Sequence, residues 1–223
     1  MKVLIVAAHP DDEVLGCGGT IHRHFMNGDT VNILFLSDGV SSRNKSVPRQ
    51  EMKLRKKAAL NAAKILGAFR PEFLSFPDNR LDTIPLLDIV QAIERVIRKV
   101  KPETIYTHHH GDLNIDHELA ARAVVTACRP IPGSTVRNLY GFEVVSSTEW
   151  NFGRSDNMFI PQYFSQIGKS IDYKIKALKC YDTEMRKFPH PRSYEAVLSL
   201  ARMRGVQSGV PAAEAFTVIR ETR

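Results

Sequence analysis

Val3-Leu4-Ile5-Val6-Ala7-Ala8-His9-Pro10-Asp11-Asp12 is the stretch on which the fold turns. Side chains alternate between the two faces of a strand, so an unbroken apolar run needs both faces covered, as in a parallel sheet with helices above and below. The run ends abruptly in a histidine, a proline that fixes the turn, and two adjacent carboxylates. Ligand-type side chains therefore leave one strand end together.

Working outward, the same alternation of strand and helix continues. Residues 14–27 read as a helix stopped by Asn27-Gly28, and 31–36 as a second strand. A polar loop over 40–48 precedes a long amphipathic helix over 49–66, with Gly67 at its C-terminal end. Strands at 72–76, 104–107 and 139–145 and helices at 84–99 and 116–128 follow, and 171–181 and 194–204 read as two closing helices. Turn signals dominate 146–168. This order implies parallel βαβ units: an α/β, Rossmann-like three-layer fold with a mostly parallel central sheet, formed by residues 1–223 as one domain.

Composition agrees with a globular protein. The chain has 223 residues, 43% hydrophobic and 25% charged, enough to bury a core without staples. Its three cysteines are odd in number and form no Cys-x-x-Cys, which argues against a disulfide framework or a thiolate zinc site and fits a reducing compartment. The short apolar start runs straight into His-Pro-Asp-Asp rather than a cleavage site, and no apolar stretch approaches the roughly 20 residues needed to cross a bilayer. A cytoplasmic protein with no stable membrane insertion is expected. The formal charge of +7 is spread over helical faces such as 53–57 and 95–101. It is read as solvated surface, with attraction to an anionic substrate as the sharper alternative, and no nucleic-acid module accompanies it.

A second cluster, His108-His109-His110-Gly111-Asp112-Leu113-Asn114-Ile115-Asp116-His117, follows the 104–107 strand. Open α/β sheets bind ligands beyond the carboxyl ends of their strands, where strand order reverses. If the first and fourth strands are neighbours, the two clusters meet there. His9, Asp12 and His117 then supply the three N and O ligands of a hydrolytic zinc site with one position open. Asp11, beside a ligand, is free to take a proton from water and return it to a leaving group. Asp116 either accepts the outer N–H of a ligand histidine or caps the helix that follows it. One member of the triple histidine is expected to enter the site.

Other readings of the same residues are weaker. Asp11-Asp12 could simply start a helix. Gly16-Cys17-Gly18-Gly19 with Asp38 resembles a dinucleotide-binding layout, but the glycines come after the strand-to-helix turn instead of making it, and they suit close packing of helix on sheet better. No Gly-x-Ser-x-Gly elbow indicates a serine hydrolase.

At these residues the chain resembles the LmbE-like, or PIG-L type, family of metal-dependent N-acetyl-sugar deacetylases. The likeness runs from Ala8-His9-Pro10-Asp11-Asp12-Glu13 and Gly16, Gly18-Gly19-Thr20 through Ser37-Asp38-Gly39, Arg55, Leu66-Gly67, Pro77-Asp78 and Asp112-Leu113-Asn114-Ile115-Asp116-His117 to Arg204-Gly205 and Ala213-Glu214-Ala215-Phe216. It implies a Rossmann-like fold and a Zn2+ site, with Fe2+ or another divalent metal sometimes accepted, held by His9, Asp12 and His117. It implies Asp11 as general base, Arg55 reaching the substrate pocket, Asp116 behind the ligands, and hydrolysis of the acetamide of an N-acetylglucosamine-type sugar or its conjugate. Many members carry a histidine where this chain has Asn114. An asparagine can still donate a hydrogen bond to an oxyanion but cannot act as an acid, so proton delivery to the departing amine falls to Asp11 or to a histidine of 108–110. A metal-dependent hydrolase of another amide or ester, and a sugar-binding protein without catalysis, are the alternatives. A homo-oligomer is compatible with the sequence. Specificity is expected in the loops at 40–48, 78–84 and 146–168. Tyr106, Trp150, Phe152 and Tyr163 are candidates to stack on a sugar, with burial in the core as the alternative.

Overall fold

The computed structural model describes residues 1–42, 49–152 and 157–222. Its strands form one seven-stranded sheet. In chain order the elements are β1 (Lys2–Ala7), α1 (Asp12–Met26), β2 (Thr30–Ser37), α2 (Arg49–Leu66), β3 (Glu72–Phe76), α3 (Leu86–Val100), β4 (Thr104–His108), α4 (Ile115–Ala127), β5 (Asn138–Phe142), β6 (Tyr163–Gln166), α5 (Ile171–Leu178), α6 (Tyr194–Ser208) and β7 (Ala213–Arg220).

The sheet order is β3-β2-β1-β4-β5-β7-β6. β1 pairs in parallel with β2 on one side and with β4 on the other, so the direction of winding reverses between β1 and β4. That is where the two sequence clusters emerge. The first five strands are parallel, and β7 runs antiparallel to both β5 and β6.

Strand β1 shows why the apolar run is continuous. Val3, Ile5 and Ala7 pack into a core shared with α1, α2 and α5. Leu4, Val6 and Ala8 pack into the opposite core, with α3 and α4. All six are fully buried, which gives the three-layer arrangement its central sheet.

The structure departs from the sequence reading at several elements, among them β5, which stops at Phe142 rather than 145, and α6, which runs on to Ser208 rather than 204. Helix α1 begins at Asp12, so that carboxylate lies in the first helical turn. β6 and β7 are strands that the sequence reading left unassigned. β7 carries Glu214 between Ala213 and Ala215 at fully buried positions, so it lacks the polar-out alternation that marks a strand. The helix expected over 171–181 ends at Leu178 and tightens into a 3-10 segment, Lys179–Glu184. Residues 43–48 of the expected 40–48 loop, and 153–156 of the 146–168 stretch, lie outside the described residues.

The glycines of α1 sit against the sheet and α5. A Cβ on Gly19 would lie 2.8 Å from three carbons of Ile167. The helix is broken at Cys17, whose φ of −143° is not helical. Its second half starts on the Glu214 carboxylate, which accepts the N–H groups of Gly19 (2.9 Å) and Thr20 (2.7 Å). Lys174 Nζ completes the junction, 2.6 Å from Glu214 and 2.8 Å from the Leu15 carbonyl. An anion at a helix N-terminus, paired with a buried ammonium, ties α1, α5 and β7 together.

Candidate active site

The turn after β1 is held by its own side chains. The His9 N–H donates to Asp12 Oδ2 (2.9 Å), and the Ala8 N–H donates to His108 Nε2 (2.9 Å) at the end of β4. A ring nitrogen that accepts is unprotonated, and burial together with the nearby His117 keeps the His108 pKa well below the ordinary histidine value. At Asp11 the backbone has φ 122°, a conformation that costs a non-glycine residue about 1–3 kcal/mol and persists only where the surroundings impose it.

The α4 side is built on caps. Asn114 is the N-cap, its side-chain oxygen accepting the Asp116 N–H (2.9 Å), and its Nδ2 donates to Asn79 Oδ1 (3.0 Å). This puts His117 in the first turn of α4, pointing at the end of β1. Its ring stacks on His108 with centroids 3.9 Å apart.

Three atoms of metal-ligand type converge. His9 Nδ1 lies 3.2 Å from Asp12 Oδ2 and 3.3 Å from His117 Nε2, and His117 Nε2 lies 3.3 Å from Asp12 Oδ2. Tetrahedral zinc with bonds of about 2.0 Å separates its ligand atoms by about 3.3 Å, so this triangle has the dimensions of one face of such a site. Asp12 Oδ1 is buried without a hydrogen-bond partner, an unusual state for a carboxylate oxygen that a cation would relieve.

Each ligand histidine has carboxylates behind it. His9 Nε2 faces Asp116 Oδ2 (3.1 Å) and Asp78 Oδ1 (3.2 Å). His117 Nδ1 lies 3.2 Å from Asp112 Oδ1. Those carboxylates are themselves fixed: Asp116 accepts the N–H groups of Asn79 (2.7 Å) and Leu81 (3.0 Å), Asp78 the Ser42 hydroxyl (2.6 Å), and Asp112 the hydroxyls of Ser147 and Thr148. His9, Asp78 and Asp116 also meet the distances of a second cation group. Asp78 and Asp116 both face His9 Nε2, the ring nitrogen turned away from the triangle, and so back that ring.

The electrostatics fit a centre that wants positive charge. Burial opposes protonation of both histidines, yet Asp116, Asp12 and Asp78 hold His9 well above its ordinary value, and Asp12 and Asp112 raise His117 to about 9. Burial likewise opposes ionisation of the acids. The paired histidines still hold Asp12 well below the usual carboxylate range, and Asp112 and Asp78 are brought to about 2.

Asp11 lies apart from the ligand triangle. Its Oδ2 accepts from Arg55 Nη2 (3.0 Å) and Arg192 Nη1 (2.9 Å). Arg55 comes from α2, also pairs with Glu184 (2.7 Å), and is buried. Arg192 comes from the loop before α6 and is fixed by Nε donating to Ser146 Oγ (2.7 Å).

All seven residues singled out in the sequence, His9, Asp11, Asp12, Arg55, Asn114, Asp116 and His117, therefore fall at this one junction. Asp116 faces His9, and Asn114 caps the helix. Of the triple histidine, His108 reaches the ligand atoms, His109 Nε2 lies 2.9 Å from the Asn157 carbonyl oxygen, and His110 is exposed. Tyr106 is core, 1% exposed and stacked on Tyr140, so it presents no face to a ligand. Sequence reasoning missed the roles of Asp78 and Asp112, although both stood in motifs it quoted. Arg192 and Glu184 carried no signal at all.

A family sequence profile described as PIG-L, GlcNAc-PI de-N-acetylase, matches residues 4–128. The chain belongs to this family. Among its PIG-L relatives, the uncharacterized deacetylase YaiS of Escherichia coli (strain K12) is 31% identical over 79% of this chain and 88% of its own. A probable N-acetyl-alpha-D-glucosaminyl L-malate deacetylase 2 of Bacillus cereus is 27% identical over 82% of this chain and 83% of its own. The 4-oxalmesaconate hydratase of Pseudomonas putida is 29% identical over 93% and 81%. Among solved structures, the conserved protein TT1542 of Thermus thermophilus superposes with a TM-score of 0.77 at 26% identity, covering 99% of this chain and 96% of that one.

Proposed function

We propose that this PIG-L family protein is a divalent-metal-dependent deacetylase, with zinc as the metal, that hydrolyses the acetamide of an N-acetylglucosamine-type sugar or its conjugate. The observation that carries the reading is the 3.2–3.3 Å triangle of His9 Nδ1, Asp12 Oδ2 and His117 Nε2 with a carboxylate, Asp11, left beside it. A divalent cation held by those atoms supplies Lewis acidity, polarising a carbonyl and bringing the pKa of water to about 7.

The chain's own residues do the rest. Asp11 accepts the proton of the attacking water as the C–O bond forms, then returns it to nitrogen as the C–N bond breaks, giving free amine and acetate. Arg55 and Arg192 fix the carboxylate's orientation through one oxygen and leave the other for that exchange. The second N–H of Asn114 Nδ2, beyond the one given to Asn79, is assigned to the developing oxyanion. Asp78, Asp116 and Asp112 orient the ligand imidazoles. Tyr163, like Tyr106, stacks on Tyr140, so of the four aromatic candidates Trp150 and Phe152, 38% and 80% exposed, are those assigned to meet a sugar. We assign residues 1–223 to one deacetylase domain. Three unpaired cysteines support placing it in the cytoplasm. No helix among the described residues is long and apolar enough to cross a membrane.

The test is amine and acetate release from N-acetylglucosamine, its disaccharide and its glycoconjugates, using chelator-stripped protein with and without restored zinc. Metal-dependent release supports the proposal. No release from any N-acetylated sugar, with turnover of another amide or an ester, would move the protein to the broader hydrolase class. Sugar binding without turnover would make it a binding protein. The P. putida relative favours one further arm, hydration of an unsaturated oxo acid under the same conditions.

A further inference from the structure

Glu13 makes a further contact to Asp11, apart from the two arginines, and Tyr181 stands behind it. The Asp11 N–H donates to Glu13 Oε2 (2.9 Å), and the Tyr181 hydroxyl donates to Glu13 Oε1 (2.7 Å). Glu13 is fully buried and Tyr181 is 1% exposed, so both links are shielded from water. The face of the Tyr181 ring lies 5.5 Å from the Arg55 guanidinium carbon, within cation–π range, and that guanidinium grips the Asp11 carboxylate. Three residues beyond Tyr181, Glu184 holds the other end of Arg55.

We infer that Tyr181 is a positioning residue for Asp11, acting by two routes: its hydroxyl, through Glu13, holds the Asp11 backbone at φ 122°, and its ring, under Arg55, steadies the Asp11 carboxylate. This rests on the reading of Asp11 as proton carrier, and it adds a residue from 170 positions away that meets neither metal ligand nor substrate.

The geometry explains why both routes are needed. The left-handed backbone at Asp11 turns its side chain away from Asp12 although the two are neighbours in sequence. With ordinary backbone angles the strain would be relieved, and the carboxylate would swing from the arginines. The Asp11 N–H, the Glu13 side chain and the Tyr181 hydroxyl form one chain of contacts with no member shared with solvent, which makes the arrangement stiff. Tyrosine is also a plain core residue here, packed with Phe142 and Ala177 in the same cluster. That bland role needs the ring but is indifferent to which acceptor the hydroxyl finds.

The two roles separate in Tyr181→Phe, which keeps ring, packing and Arg55 contact and removes only the hydroxyl route. The assay is release of amine from the N-acetylated sugar turned over by the zinc-loaded wild type, with kcat, KM, zinc content and the crystal structure of each variant. Tyr181→Phe should lose about 10- to 100-fold in kcat, as expected for a small misplacement of a reacting group, with KM and zinc content unchanged and Asp11 φ relaxed from its positive value. Glu13→Gln should retain most of kcat, since its amide oxygen still accepts the Asp11 N–H and the tyrosine oxygen can accept from its NH2. Glu13→Ala and the double variant Glu13→Ala/Tyr181→Phe should be equally impaired, because they cut one chain at two links. Unchanged kcat in Tyr181→Phe, or penalties that add in the double variant, overturns the inference. The Asp11 conformation in the Tyr181→Phe crystal reads the positioning directly. If Asp11→Ala stayed active, only the catalytic reading would fall, and an unrelaxed Asp11 in Tyr181→Phe would sink the positioning itself.

Discussion

His117 Nε2 stands 3.3 Å from His9 Nδ1 although 108 positions separate the two residues. The contact follows from pairing β1 directly with β4, which sets the two cluster-bearing strand ends side by side. Truncating either imidazole leaves too few ligands for a tight site. His117→Ala should lose zinc, measured by elemental analysis after gel filtration, and with it all turnover. Stoichiometric zinc in that variant would remove His117 from the ligand set.

Asp11→Ala separates proton transfer from metal binding. Its carboxylate contacts Arg55 and Arg192 and not the ligand triangle. Zinc content should match wild type while kcat falls by about 100-fold or more, the usual contribution of a positioned general base. Loss of zinc would make Asp11 a ligand.

The pH dependence of the metal-free protein has a definite sign. His9 and His117 are held above their ordinary value, His117 at about 9. Their protonation therefore stabilises the fold fully below the unfolded value of about 6.5, and this is lost as pH rises through about 9. His108, depressed by burial, works the other way below about 6.5. Chelator-treated protein should thus lose thermal stability between about pH 6.5 and 9. Burial raises Glu13 to about 8, so that carboxyl adds a metal-independent loss as pH rises toward 8; zinc should remove the histidine part of the loss and bind more tightly as pH rises, since it competes with the same protons. Melting curves across this window, with and without zinc, read both effects.

Arg55 joins Asp11 and Glu184 in the interior. Arg55→Ala removes the guanidinium shared by Asp11 and Glu184, leaving Arg192 on the Asp11 carboxylate, which should cost about 1.5–3 kcal/mol in urea unfolding, the range for charge-assisted hydrogen bonds. Arg55→Lys should recover little, because one ammonium cannot span both carboxylates in the guanidinium's fork geometry.

Gly19 tests the packing reading of the glycine run. Its missing side chain lets α1 approach Ile167, and Gly19→Ala should destabilise by about 1–3 kcal/mol through overpacking, with bound zinc unchanged. Unchanged stability would mean that the glycines serve something other than close approach.

The sheet core and the meeting of His9, Asp12 and His117 were both legible because each has a local signature. A doubly buried strand must be apolar throughout, and histidines and carboxylates clustered where strands end. What stayed hidden depends on contacts with no sequence spacing. Arg192 is an ordinary loop arginine until the chain folds it onto Asp11, 181 positions away. Tyr181 looked like one more helix residue near a C-terminus. Asp78 and Asp112 were visible as acids, but which imidazole each would back is fixed only by the fold. β7 was obscured by its own buried charge, since Glu214 satisfies α1 from within the sheet.

That carboxylate has a practical corollary for trimmed versions of the protein. The family match stops at residue 128, which suggests a minimal catalytic fragment. Such a fragment would leave the broken helix that begins at Asp12 without the acid that caps its second half, and without the lysine that neutralises that acid. Excising the family-matched portion alone would therefore loosen the half of the helix beyond Cys17, even with every proposed ligand still on the chain.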